Sequence, residues 1–157
     1  MIRGRIAVLV PAVYDELDKE LLTGIHTSAA VIGFDTLVFT AVSAENDEDY
    51  TSGENNSYEL PFLSDIDGVI LVPDRFKDKA LKNDIAKRVE KSGLPCVSIN
   101  EEIGKIQGVF LDQRKGVYDI TEHLITVHGY RDILCLTGPD GNNEAEERAA
   151  GYISAMK

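Results

Sequence analysis

Arg148 sits in the run NEAEERAAGY, four residues after Glu144 and next to Glu147. A guanidinium presents a planar fork of N–H donors, a shape that matches vicinal hydroxyls or a carboxylate. Its other use is as an exposed helical arginine paired with Glu144 or Glu147. Asp74 closes the apolar run DGVILVP, and a carboxylate there could accept two hydroxyl hydrogen bonds from a polyol, or could cap a helix. Arg75 and Phe76 flank it as pocket candidates. Tyr14 and Asp15 follow the first apolar run. The ring of Tyr14 could offer a face for a sugar ring, against an ordinary surface contact. Asp112 and Gln113 follow Val109-Phe110-Leu111, where Asp112 could also cap the next helix. Asp140 and Asn142 lie in the polar loop TGPDGNN.

Other chemistry is poorly supplied. His123 and His128 fall on one expected helix five residues apart, a poor spacing for sharing a metal, and His26 falls on another. No G-x-S-x-G elbow surrounds a serine. Neither G-x-x-x-x-G-K-[ST] nor a G-x-G-x-x-G after a strand is present, and the carboxylates form no placed pair for acid–base work. We expect a binding module that is not an enzyme, with no cofactor and no metal.

The elements that would position these residues alternate. Ile6–Val10 is a continuous apolar run closed by Pro11, the pattern of a strand covered on both faces. Leu17, Leu21, Ile25, Ala29 and Ile32 form a helical stripe that Gly33 ends, and Thr36–Phe39 is the second strand. Ser43–Tyr58 is acidic, rich in Asn, Gly and Ser, and nearly without apolar period, which reads as a mobile excursion or else a partner-binding loop. The run Asp67–Pro73 is the third strand, followed by a polar loop at Asp74-Arg75. Leu81, Ile85 and Val89 mark a helix stopped by Ser92-Gly93, and Leu94–Ile99 is the fourth strand. Glu101–Ile106 is a loop, and Gln107–Leu111 is the fifth strand. Val117, Ile120, Leu124 and Ile125 recur at helical spacing up to His128-Gly129. Ile133-Leu134-Cys135-Leu136 reads as a buried strand. Asn143, with Glu146 three residues on, then fits the start of a last helix carrying Ala145, Ala149, Tyr152, Ile153 and Met156. Such β-α-β units wind right-handedly into a parallel sheet flanked by helices, a Rossmann-like α/β class. Ligands of such sheets sit beyond the carboxyl ends of the strands, which nominates the loops after Pro11, Pro73, Ile99, Leu111 and Gly138.

The chain has 157 residues, 43% hydrophobic and 27% charged, with a net charge of −11. A surface this acidic repels phosphate backbones, so we expect no direct nucleic-acid binding by this segment. Cys96 and Cys135 lie in apolar runs, as expected of buried free thiols. No stretch is long enough to cross a membrane, and Ile6–Pro11 is too short and wrongly flanked for a signal peptide. A cytoplasmic protein is the expectation.

The run HLITVHGYRDILCLTGP followed by RAAGY resembles the ligand-binding domain of LacI/GalR-type transcriptional regulators, built on the type I periplasmic-binding-protein fold. Such domains carry HL…GH/Y-x-x-I…L-x-G-P and then R-x-x-G-aromatic. The runs DGVIL and GLPCVSI are similar to the family's D-G-[IV]-I-[LV] and G-[IL]-P-x-V-x-I, and GPDGNNEAEER is similar to LacI-like sensor segments of GGDEF-type signalling proteins. The resemblance implies a domain of two lobes, with residues 1–111 the first and 112–157 the truncated start of the second. It implies that Arg148 contacts ligand oxygens and that Asp112 and Gln113 line the cleft. The expected partner is a small effector, a sugar or nucleoside. The family also implies homodimers or higher self-association, to which the Leu81/Ile85/Val89 helix could contribute a face. The other reading is a dimerisation module with a vestigial pocket.

Overall fold

The computed structural model describes residues 4–11, 13, 16–41, 55–63, 65–76, 78–139 and 141–157. They divide into two compact units, Met1–Phe110 and Leu111–Lys157.

The first unit is a five-stranded parallel sheet in the order β2-β1-β3-β4-β5. The strands are β1 (Gly4–Leu9), β2 (Phe34–Phe39), β3 (Gly68–Leu71), β4 (Cys96–Ile99) and β5 (Gln107–Val109). β1 is central: Val8 stands opposite Val38 on one side and Ile70 on the other. Parallel neighbours on both sides demand apolar residues on both faces of the strand, and Ala7, Val8 and Leu9 are fully buried. The α/β class expected from the alternation is the one observed.

Helix α1 (Glu16–Val31) joins β1 to β2, and α2 (Lys79–Ser92) joins β3 to β4. Asp78 caps α2 by accepting from the Ala80 and Leu81 amides at 2.8 and 3.2 Å. Gly93, at φ +69°, takes the left-handed position that ends it. Ile85, Ala86 and Val89 of α2 bury against Ala7, Leu9, Val69 and Leu71, with Ile66, Tyr58, Phe76, Ile103 and Ile106 filling the same core. The apolar stripe of α2 is therefore used on its own sheet: Ile85 and Val89 are buried, and Leu81 packs against the cluster. The side of this helix that could have offered a face to a second subunit is core of its own unit. The stripe of α1 is shorter than its sequence suggests: Leu17 is exposed in the first turn, and Ile32 lies beyond the end of the helix at Val31 and is exposed too.

Three strand ends differ from expectation for local reasons. Pro95 has no N–H to donate, so β4 pairs from Cys96 rather than Leu94. β5 pairs only to Val109, because Asn100 turns the neighbouring strand out at φ +63°, and Phe110 and Leu111 are exposed. β1 and β2 begin earlier than expected, at Gly4 and Phe34.

Of the polar segment 43–58, residues 43–54 lie outside the described residues. Asn55–Leu63 forms a 3-10 helix that buries Tyr58 and Pro61. The Tyr58 ring meets Phe76 edge-on at 5.4 Å. Its hydroxyl lies 3.2 Å from the Val10 carbonyl oxygen and accepts from the Ala41 amide at 3.1 Å. The end of this segment is thus core, not loop.

The second unit contains α3 (Gln113–Thr126) and α4 (Asn143–Ala155), packed on each other. The contact is close because Gly151 has no side chain. A Cβ there would overlap the Arg114 carbonyl oxygen and stand 3.1 Å from the Tyr118 nitrogen. The cap of α4 is Asn142, one residue earlier than the spacing suggests, and it accepts from the Ala145 amide at 2.9 Å. Glu146 reaches back to the Gly141 amide at 3.1 Å. Gly129 adopts φ +74° after α3, as its position predicts.

Ile133–Leu136 is not a strand. A strand needs a neighbour for its ladder, and no described residue pairs with this run. Leu134 and Leu136 are 86% and 89% exposed. The run is held through the Ile133 carbonyl, which accepts from the Tyr152 hydroxyl at 2.7 Å.

Candidate functional site

The second unit brings together four of the residues nominated from sequence. Asp112 caps α3, accepting from the Lys115 amide at 2.8 Å. Gln113 is the first residue of that helix, and its Oε1 accepts from Arg148 Nη1 at 3.3 Å. Arg148 Nη1 also lies 3.5 Å from Glu144 Oε2, one helical turn back. Asn142 caps the helix that carries Arg148. Gly151, three residues after Arg148, allows the approach of α3 and α4 that puts Gln113 within reach.

The geometry leaves Arg148 only loosely held. Both contacts fall at the long end of the hydrogen-bond range, and both use the same nitrogen. Nε and Nη2 make no hydrogen bond among the described residues. The side chain is 43% exposed, so the ion pair with Glu144 contributes about 0.3–0.5 kcal/mol at most, as exposed pairs of this spacing do. Chemically this is a guanidinium held by one tip, Nη1, between a neutral amide and a carboxylate, with Nε and Nη2 free of hydrogen bonds among the described residues. It suits a ligand with adjacent acceptor oxygens.

In the first unit the nominated residues gather at the carboxyl ends of the strands without forming one set. Asp74 is exposed in a short 3-10 turn, Pro73–Arg75, whose closing bond is Phe76 N–H to the Pro73 carbonyl at 3.1 Å. The backbone of Arg75 belongs to that turn. Phe76 is 6% exposed, with its ring in the core beside Tyr58, so its described surroundings are those of a packing residue. Tyr14, Asp15 and Asp140 lie outside the described residues.

One position at this edge was not singled out from sequence. Asn100, directly after β4, holds φ +63°, the only non-glycine residue with positive φ among those described. Its amide donates to the Val109 carbonyl at 2.9 Å, and Glu101 is pinned by Lys82 at 2.6 Å. Asn tolerates the left-handed region better than most residues. An Asn at a strand's carboxyl end was the available signal, and strain of this kind gathers at functional edges.

Titration behaviour adds one fact. Burial pushes the Cys96 thiol up to about 12. Both cysteines are free and half-buried, less enclosed than their apolar surroundings suggest. Among the described residues no helix is long and apolar enough to cross a membrane, and no three His, Cys, Asp or Glu side chains converge on a metal position.

Residues 4–157 match the family model for periplasmic binding proteins and the sugar-binding domain of the LacI family. The HTH-type transcriptional repressor CytR of Escherichia coli strain K12 is 26% identical over 154 residues, covering 97% of this chain and 42% of the repressor. A LacI family transcriptional regulator from Mycobacterium smegmatis is 27% identical with a TM-score of 0.61, over 96% of this chain and 50% of that one. A periplasmic solute-binding protein of an ABC transporter from Actinobacillus succinogenes 130z, solved with bound D-allose, superposes with a TM-score of 0.72 at 22% identity, over 98% of this chain and 55% of that one. The chain thus spans about half the length of the proteins it matches, and it belongs to the family of periplasmic binding proteins and LacI-type sugar-binding domains.

Proposed function

We propose that this chain is part of the effector-sensing domain of a LacI-type transcriptional regulator, binding a sugar- or nucleoside-like ligand. Residues 1–111 are read as the first lobe and 112–157 as the beginning of the second, with the ligand held between lobes. The observation that carries the reading is Arg148. It stands at the arginine of R-x-x-G-aromatic, is held at Nη1 by Gln113 and Glu144, and keeps Nε and Nη2 unused among the described residues. The allose-bound neighbour and the repressor relative support the ligand class and the transcriptional output. Closure on ligand would shift an attached output domain by the difference in affinity between open and closed forms. The protein is cytoplasmic and non-enzymatic in this reading, as a repressor is.

A second reading is a dimerisation module whose pocket is vestigial. The exposed Leu134 and Leu136 favour self-association. The two readings separate in thermal denaturation of the full-length protein against sugars, nucleosides and amino acids. A ligand that binds only the folded state raises the midpoint by mass action. A rise that disappears in Arg148→Ala supports the sensor. No rise with any compound, together with a concentration-dependent dimer, supports the second reading.

A further inference from the structure

His123 and His128 meet at the carboxyl end of α3 although they stand five residues apart. Residues five apart on an α-helix point in different directions. Here α3 ends at Thr126, Val127 closes the last turn by donating to the His123 carbonyl at 2.9 Å, and Gly129 reverses the chain at φ +74°. Gly129 still donates to the Ile125 carbonyl at 3.2 Å, so His128 stays on the last helical turn and the two rings turn toward each other at the carboxyl end of α3. The two Nε2 atoms stand 3.2 Å apart, with ring centroids at 5.0 Å and planes at 72°. The Tyr130 ring stacks on His128 at 5.7 Å and 15°, which fixes the orientation of that imidazole. All three side chains are exposed.

We propose that His123 and His128 form a two-imidazole chelate for a divalent first-row transition-metal ion, such as Zn2+ or Cu2+, with water completing the coordination. Nitrogens bound about 2.0–2.1 Å from one zinc ion stand roughly 3.3–3.4 Å apart at a tetrahedral angle, and about 2.9 Å apart at a right angle. The observed 3.2 Å falls between. Imidazole is a favoured ligand for Zn2+, Cu2+ and Ni2+ and a poor one for Mg2+ and Ca2+. A cation at the carboxyl end of α3 also meets the negative end of the helix dipole. Without metal the same distance accommodates one N–H···N bond, in which one ring donates and the other accepts. With metal both rings present the Nε2 lone pair and carry their protons on Nδ1. Solvent exposure leaves open positions, so a donor from another molecule could enter the coordination sphere.

The test uses the untagged chain. Calorimetric titration with ZnCl2 and CuCl2 should give one equivalent bound at micromolar concentration. The Cu2+ electron paramagnetic resonance spectrum should show coupling to two imidazole nitrogens. His123→Gln and His128→Gln should each weaken binding by at least about tenfold and remove the two-nitrogen pattern. His26→Gln should change neither, and far-ultraviolet circular dichroism should match across all four proteins. Absence of stoichiometric binding, a one-nitrogen spectrum for the unaltered chain, or full affinity in either single variant would overturn the chelate.

Discussion

Gly151 of α4 rests against the Arg114 carbonyl of α3 with no room for a side chain between them. This contact sets the distance between the two helices, and with it the reach from Arg148 to Gln113. Gly151→Ala should destabilise the chain by about 1–3 kcal/mol through overpacking. Ala is the better helix former, so a loss on this substitution isolates the steric term. Chemical denaturation reads it directly. An unchanged or raised midpoint would show that the helices separate without cost.

The Tyr58 hydroxyl joins the ends of two strands. Tyr58→Phe keeps the ring against Phe76 but removes the hydroxyl beside the Val10 carbonyl and one of two acceptors of the Ala41 amide, which also reaches the Pro11 carbonyl at 3.2 Å. A loss of about 1 kcal/mol is expected, that of a buried hydrogen bond whose partners are in part served otherwise. Urea denaturation with an unchanged slope would assign that loss to the native state. A change below a few tenths of a kcal/mol would mean that water replaces the hydroxyl.

Cys96 should be slow to alkylate. Its thiol is pushed up to about 12 by burial, so at pH 8 its thiolate fraction is on the order of a thousandfold below that of an ordinary cysteine. Mass-spectrometric mapping of iodoacetamide labelling should find Cys135 modified well before Cys96. The sign for stability follows. Because the folded thiol holds its proton more tightly than the unfolded one, Cys96 contributes stability below its ordinary value of 9.0. That contribution is lost as pH rises through about 12. Equal labelling of the two thiols at pH 8 would contradict the burial.

Asp112 separates capping from ligand contact. Asp112→Asn retains an acceptor for the Lys115 amide and should leave stability within about 0.5 kcal/mol, whereas Asp112→Ala should cost about 1 kcal/mol. If the carboxylate also serves the ligand, Asp112→Asn lowers the thermal shift produced by that ligand while the unliganded midpoint stays put. A ligand response equal to that of the unaltered protein would leave Asp112 as a cap alone.

The inner strands β1, β3 and β4 were legible because their apolar runs are bounded by Gly, Pro or a charge and alternate with helical stripes. The α2 stripe was legible for the same reason, but its direction was not. Periodicity shows that Leu81, Ile85 and Val89 share a face, not which neighbour that face meets. Ile133–Leu136 was misread because four apolar residues carry no record of whether a partner strand stands beside them. Tyr58 was hidden by its polar neighbours, since a single aromatic with a hydroxyl makes no pattern. Arg148 and Gln113 are 35 positions apart, and only the helix contact at Gly151 joins them. The histidine pair was missed because spacing rules place side chains by their Cα positions, whereas long imidazole side chains at the end of a helix can turn toward each other.

The exposed run Ile133–Leu136 also bears on how the protein behaves when concentrated. Its residues lack charge, and the amides of Leu134 to Leu136 make no hydrogen bond among the described residues, the combination from which sheet-like aggregates nucleate. The flanks oppose that growth. Arg131-Asp132 places two charges on one side, and Gly138-Pro139 stands shortly beyond the other. Charges and proline so placed act as gatekeepers, confining cross-strand stacking to a four-residue window. Substitutions that neutralise Arg131 and Asp132 or replace Pro139 would lengthen that window, and their cost would be paid in solubility before any change in the fold.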